Sequence, residues 1–290
     1  MKTHTLSTSE ADIVYDVHGP IPTAGGRPLL FMIGQPMEAG GFYTLASHFP
    51  DRTVVTYDPR GLGRSTRKDG KVENTPSLQA RDLHALIQAL GCGPVEMFGS
   101  SGGAITSLAL VAEYPNDVTT LVAHEPPLFS VIPDTKGAER ARAAVRDAYE
   151  AKGWGAGMAA FVAMTTWHGE YGDEFFAQPL PDPAMFGMPT GDDGKRDDPL
   201  LSDRSWAVSS YRPDFEAVAA APTRVVIAMG EESRGLFTDR TSEATAKRLG
   251  QHPTVFPSHH GGFTGGEGPY AGKPEAFAKR LREVLDNKGD

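Results

Sequence analysis

A serine hydroxyl set between glycines is the first group in this chain with a legible chemistry. Gly99-Ser100-Ser101-Gly102-Gly103 directly follows the apolar run Pro94-Val95-Glu96-Met97-Phe98, so Ser101 falls where a strand turns sharply into a helix. Glycines on either side leave room for that bend and for a substrate to approach the hydroxyl. A free serine hydroxyl is a weak nucleophile. The reading therefore demands a base within hydrogen-bond reach of Ser101 and donors aimed at the oxyanion its attack would create. Beyond the turn, Ala104, Ile105, Leu108, Ala109, Leu110 and Val111 are spaced as a buried helix that stops near Tyr114-Pro115.

Holding such a bend takes a rigid sheet, and the chain offers one. Strands are predicted at Ile13–Val17, Leu29–Ile33, Thr53–Tyr57, Val95–Phe98, Thr120–Ala123, Val225–Met229 and Thr254–Phe256. Several are continuous apolar runs rather than alternating ones, as a parallel sheet covered on both faces requires. Between them lie helices with readable ends. Thr75-Pro76 opens one, whose apolar face is Leu83, Leu86, Ile87 and Leu90 and which Gly91 closes; Gly250 closes another, and Lys273-Pro274 opens the last. The pattern predicts a doubly wound, mostly parallel α/β core formed by residues 1–125 and 214–290. Residues 126–213 break the alternation. They begin with a helical run from Ala138 to Ala151 and continue with Trp154, Phe161, Trp167, Phe175, Phe176, Met185, Phe186 and Met188 among many Pro, Gly and Asp residues. This stretch is expected to be an inserted helical cap over the carboxyl ends of the strands, where open α/β sheets bind ligands.

Composition narrows the partners. With 28 Lys and Arg against 37 Asp and Glu, the net charge is -9, which argues against nucleic acid or an anionic membrane and for a small, mostly uncharged substrate. Met1 to Glu10 lacks the apolar core of a signal peptide, and no apolar run approaches the roughly 20 residues needed to span a bilayer. A cytoplasmic location is expected, and association into a homo-oligomer is left open. The single cysteine, Cys92, excludes an intramolecular disulfide and sits in Gly91-Cys92-Gly93-Pro94, a bend between helix and strand. Gly191 to Asp198 reads as a solvated loop rather than a calcium site.

Four motifs in chain order resemble the α/β-hydrolase fold family, and the likeness covers nearly all of the chain except the cap. Ile33-Gly34-Gln35-Pro36 followed by Phe42 is similar to the family's His-Gly-x-Pro oxyanion loop. Tyr57 to Ser65 resembles its Asp-x-Arg-Gly-x-Gly-x-Ser segment, Gly99 to Gly103 its nucleophile elbow, and His259-His260-Gly261-Gly262-Phe263 its terminal histidine loop. Two departures stand out. Ile33 replaces the usual histidine, and Gly230-Glu231-Glu232-Ser233 carries serine where the family's commonest acid, an aspartate, would stand.

The resemblance implies a serine hydrolase of a small, largely apolar ester, thioester or lactone, with no cofactor and no metal. Ser101 would be the nucleophile and His260, immediately before Gly-Gly-Phe, the base; His259 is the adjacent rival. The amides of Gln35 and Gly102 would form the oxyanion hole, with the Gln35 side chain either adding to the site or facing solvent. Met37 and Phe42 would line the pocket floor, and Trp154, Trp167 and Phe186 would select the substrate. The acid has two candidate places. Glu125, in Ala123-His124-Glu125-Pro126-Pro127, matches a minority placement at the strand end after the elbow helix, and Glu231 or Glu232 is the alternative; a bland reading keeps Glu125 as a hinge residue of the cap. Asp58 is expected to tie the Arg60 to Ser65 turn, and His124 to pack under the cap. Two other functions remain open. A cofactor-free oxygenase of this fold would use the histidine and acid alone, but such proteins carry a histidine beside the elbow serine, where this chain has Ser100 and Gly102. A ligand-binding protein on the same scaffold would not need Ser101 and His260.

Overall fold

In the computed structural model, residues 1–267 and 271–287 are described. Among them nine strands form one sheet: β1 (Lys2–Ser7), β2 (Ala11–His18), β3 (Leu30–Ile33), β4 (Val54–Tyr57), β5 (Thr66–Arg67), β6 (Val95–Ser100), β7 (Val118–His124), β8 (Arg224–Gly230) and β9 (Thr254–Phe256). The spatial order is β1-β2-β4-β3-β6-β7-β8-β9, with β5 pairing β2. Pairs involving β1, β2 or β5 are antiparallel, and every pair from β4 through β9 is parallel. The helices are α1 (Tyr43–Ser47), α2 (Pro76–Leu90), α3 (Gly102–Glu113), α4 (Thr135–Lys152), α5 (Trp154–Thr165), α6 (Asp173–Phe176), α7 (Asp203–Ser209), α8 (Phe215–Ala220), α9 (Phe237–Arg248) and α10 (Pro274–Asp286).

The continuous apolar strands are buried on both sides. Leu29, Phe31 and Ile33 of the β3 region pack with Val55, Met97 and Leu121 against α2 and α3, whereas Leu30 and Met32 pack with Phe98, Val122 and Phe256 against α1 and α10. Alternate side chains of one strand thus serve two cores, which is why the sequence shows no polar face. The helix ends follow their local chemistry. Thr75 Oγ1 accepts the Leu78 N–H at 3.2 Å, Pro76 takes the first helical position, and Gly91 closes α2 in the left-handed region with φ 62°.

Residues 126–213 contain α4 to α7 and, among the described residues, no strand. They build a separate apolar cluster of Phe129, Ile132, Val145, Tyr149, Met164, Tyr171 and Leu201, joined by Phe237 of α9. Among the described residues no helix is long and apolar enough to cross a membrane.

Candidate active site

The parallel register sets the geometry of the strand ends. Ser100 of β6 pairs with His124 of β7, and His124 with Ala228 of β8, so the residues that follow, Ser101 and Glu125, emerge side by side at one edge. Ser101 has φ 57° and ψ -128°, a backbone conformation that costs a non-glycine residue of order 1–3 kcal/mol and persists only where the surroundings impose it. They do so here. The Ser101 N–H donates to His124 O at 2.9 Å. A Cβ on Gly99 would lie 2.4 Å from Ser107 Oγ, and one on Gly103 would lie 2.5 Å from Ile33 O. The glycines therefore serve close approach, and the strained serine is held out at the start of α3.

Glu125 is wholly buried and also has positive φ, 49°. Its N–H donates to Ala228 O at 2.9 Å, and its Oε1 accepts the Gly230 N–H at 2.8 Å. Its Oε2 lies 2.6 Å from His260 Nδ1. Burial works to raise the Glu125 carboxyl, but the hydrogen bond and charge of His260, with smaller help from His124 and the Ser233 hydroxyl, outweigh it and hold the group below the usual carboxylate range. An ionised carboxylate only accepts. Nδ1 of His260 must therefore carry the proton of that contact, which leaves Nε2 as the ring nitrogen free to exchange one. Glu231 and Glu232 point elsewhere, to the exposed Lys273.

Ser101, His260, Gln35 and Gly102 border one cavity of about 320 Å³. Its remaining walls are mainly apolar, chiefly Phe129, Phe161, Met164, Val208, Leu236 and Phe237. Neither the Gln35 nor the Gly102 N–H donates a hydrogen bond among the described residues, and Ser101 Oγ likewise has no partner there.

A family model described as the alpha/beta hydrolase fold matches residues 27–150. The chain is similar to Uncharacterized hydrolase YraK of Bacillus subtilis, with 26% identity covering 98% of this chain and 96% of that protein. Its fold is similar to a thermophilic esterase from Thermogutta terrifontis, at TM-score 0.64 and 20% identity, covering 98% of each chain. It is also similar to proline iminopeptidase from Mycobacterium smegmatis, at TM-score 0.60 and 19% identity, covering 98% of this chain and 97% of that one. The chain has the α/β-hydrolase fold.

Several expected features of this site need correction. Phe42 is fully buried in the core, stacked on Phe263 at 5.2 Å, and Met37 packs against the same core; neither borders the cavity. Trp154 donates to Asp198 Oδ2 at 3.0 Å, Trp167 donates to Glu170 O and packs on Phe175, and Phe186 is exposed, so none of the three reaches it. Phe161, Met164 and Thr165 line it instead, at i, i+3 and i+4 on one face of α5. That spacing was available in the sequence. The Gln35 side chain does not face solvent: it is buried, and neither its Oε1 nor its Nε2 has a partner among the described residues. Asp58 ties its turn as expected, accepting Arg64 N–H and Ala39 N–H, each at 2.9 Å.

His124 does not pack under the helical segment. It lies within the core beneath His260, boxed by Phe98, Phe256, Phe263 and Phe277. Burial pushes its imidazole down to about 4, so it is neutral when folded. The unfolded chain, with an ordinary value of 6.5, takes up the proton first. Stability is therefore fully present above 6.5 and is lost as pH falls toward 4, by about 2 kcal/mol at pH 5. Urea titrations at pH 7 and pH 5 should show this loss, and His124→Phe should flatten it. An equal loss in that variant would assign the acid sensitivity to other groups.

Proposed function

We propose that this α/β-hydrolase is a serine hydrolase that cleaves an ester, thioester or lactone of a small apolar metabolite through Ser101, His260 and Glu125. The observation that carries the reading is the 2.6 Å contact between His260 Nδ1 and Glu125 Oε2, which fixes the tautomer a general base needs, beside a cavity that Ser101 and His260 share. His260 Nε2 takes the Ser101 proton as Oγ attacks the carbonyl carbon, and buried Glu125 stabilises the imidazolium that forms. The free N–H groups of Gln35 and Gly102 receive the oxyanion. Collapse expels the leaving group, which takes the proton from His260, and water then releases the acyl group by the same path in reverse. The fold shared with an esterase supports the reading. In it, residues 126–213 act as a cap whose apolar walls choose the acyl chain.

Two measurements test this. A fluorophosphonate probe should label the protein on Ser101, and p-nitrophenyl esters of graded chain length should be turned over; failure of both would remove the acyl-transfer reading. Selectivity should then track the cavity. Phe161→Ala is expected to shift the preferred chain length, changing ratios of kcat/KM by roughly 1–3 kcal/mol, whereas Trp154→Ala leaves the series in its original order. A shift seen only with Trp154→Ala would place the acyl pocket elsewhere.

A further inference from the structure

Burial normally obliges a polar side chain to find a partner within the fold. Gln35 has found none. The residue is 3% exposed and borders the cavity that Ser101 and His260 share, yet among the described residues neither its Oε1 nor its Nε2 makes a hydrogen bond. Pro36, which follows it, brings no N–H to the carboxamide. Gln35 is also pressed against the elbow, since a Cβ on Gly102 would lie 2.6 Å from Gln35 O and 2.8 Å from Gln35 Cβ. Ser209 Oγ and His259 Nε2 are likewise buried without a partner among the described residues, and both residues border the same cavity. His259 Nδ1 accepts the Gly261 N–H at 3.0 Å, so that nitrogen carries no proton and Nε2, which carries one, is a donor. Acyl transfer uses only the backbone N–H of Gln35, which leaves these side-chain groups to the bound molecule. In an otherwise apolar pocket, a few such groups fix orientation and choice of ligand.

We propose that Gln35 is a specificity-determining residue whose carboxamide pairs with a hydroxyl on the acyl group, at the carbon next to the scissile carbonyl or one beyond it. The proposal rests on the Ser101–His260–Glu125 reading and narrows its substrate to a hydroxyacyl ester, thioester or lactone. The chemistry follows from the carboxamide, which is uncharged and offers both a donor and an acceptor. An anion would gain from Nε2 and be repelled by Oε1, and a cation the reverse; a hydroxyl, itself donor and acceptor, meets either atom. The position follows from covalent geometry, because the N–H that receives the oxyanion and the carboxamide share one Cα. Gln35 also borders a second cleft, with Arg60, Arg67 and Asn74, so the two sides of the residue must be told apart.

The test compares ethyl butyrate with ethyl 2-hydroxybutyrate and ethyl 3-hydroxybutyrate. In Ser101→Ala, NMR titration reads binding without turnover. At least one hydroxy ester should bind about tenfold more tightly than ethyl butyrate, and adding Gln35→Met, which keeps the backbone N–H and nearly the same volume, should erase that ratio. With Ser101 present, kcat/KM should show the same preference and the same loss. A ratio of two esters on one protein cancels any shift of the oxyanion loop that affects both, so a merely structural role for Gln35 would leave it unmoved. If Gln35→Met does not fold, Gln35→Leu carries the same expectation. Equal binding of the three esters, or binding of none, would overturn the proposal. So would a hydroxyl preference that survives Gln35→Met, which would turn the carboxamide toward the Arg60 cleft. A Gln35-dependent preference in binding, with no ester hydrolysed by the unsubstituted protein, would support the pairing and count against the acyl-transfer reading alone.

Discussion

Ser101→Ala is expected to lower ester turnover by about 10⁴-fold or more and to abolish labelling by a fluorophosphonate probe, with KM little changed. The variant removes one oxygen and leaves its surroundings intact. The positive φ of Ser101 is imposed by the close packing of Gly99 and Gly103 and by the hydrogen bond to His124 O, so the elbow keeps its shape and the amides of Gln35 and Gly102 stay in place. What vanishes is the attacking atom. Removing a nucleophile that acts as one unit with its base costs as much as removing the whole set, because neither helps without the other. Undiminished turnover would redirect the reading to a reaction in which the His260–Glu125 pair acts alone as a base, as in a cofactor-free oxygenase. The environment of Ser100 bears on that choice, since its Oγ lies 3.3 Å from the buried His124 Nδ1 rather than in the cavity.

The strands were legible because burial on both faces left continuous apolar runs, and the helix ends because Thr75, Pro76 and Gly91 act through bonds and dihedrals within a few residues of themselves. β1 left no such trace. Lys2–Ser7 is polar and almost wholly exposed, an edge strand held by pairing with β2 rather than by an apolar face, so its sequence resembles a loose terminus. The site divides in the same way. Ser101 and Glu125 directly follow β6 and β7, and His260 lies in the short loop after β9, where short motifs mark both identity and position. The cavity wall depends instead on how helices of residues 126–213 pack, which is a matter of tertiary contact. Aromatic side chains point to Trp154, Trp167 and Phe186, yet two of these are held by hydrogen bonds to Asp198 and Glu170 and the third is exposed. The quieter i, i+3, i+4 face of Phe161, Met164 and Thr165 forms the wall. His124, expected under the cap, lies in the core for a related reason: only the fold brings four phenylalanines around it.

Glu125→Gln is expected to slow turnover by about 10³- to 10⁴-fold while the same change at Glu231 or Glu232 costs less than about tenfold. The two outcomes separate because the three carboxylates have different surroundings. Glu231 and Glu232 share an exposed lysine, and surface pairs of that kind contribute little. Glu125 is wholly buried, anchored on Gly230 N–H, and bonded to His260 Nδ1 at 2.6 Å. A glutamine there fills the same volume but can turn its NH₂ toward Nδ1. The ring then carries its proton on Nε2, the nitrogen that must accept the Ser101 proton, and the imidazolium formed during attack loses its counter-charge. Both effects fall on kcat. The pH dependence supplies a second measurement. In the folded protein the Glu125 carboxyl is held below the usual carboxylate range, so it stabilises the fold above its unfolded value of 4.5 and that contribution is lost as pH falls below it. Glu125→Gln should therefore be less stable than the unsubstituted protein at pH 7, with the gap closing toward pH 3 in urea titrations. A variant that loses stability in this way yet hydrolyses esters at the full rate would make Glu125 a structural anion beneath the elbow and leave His260 to act without an acid.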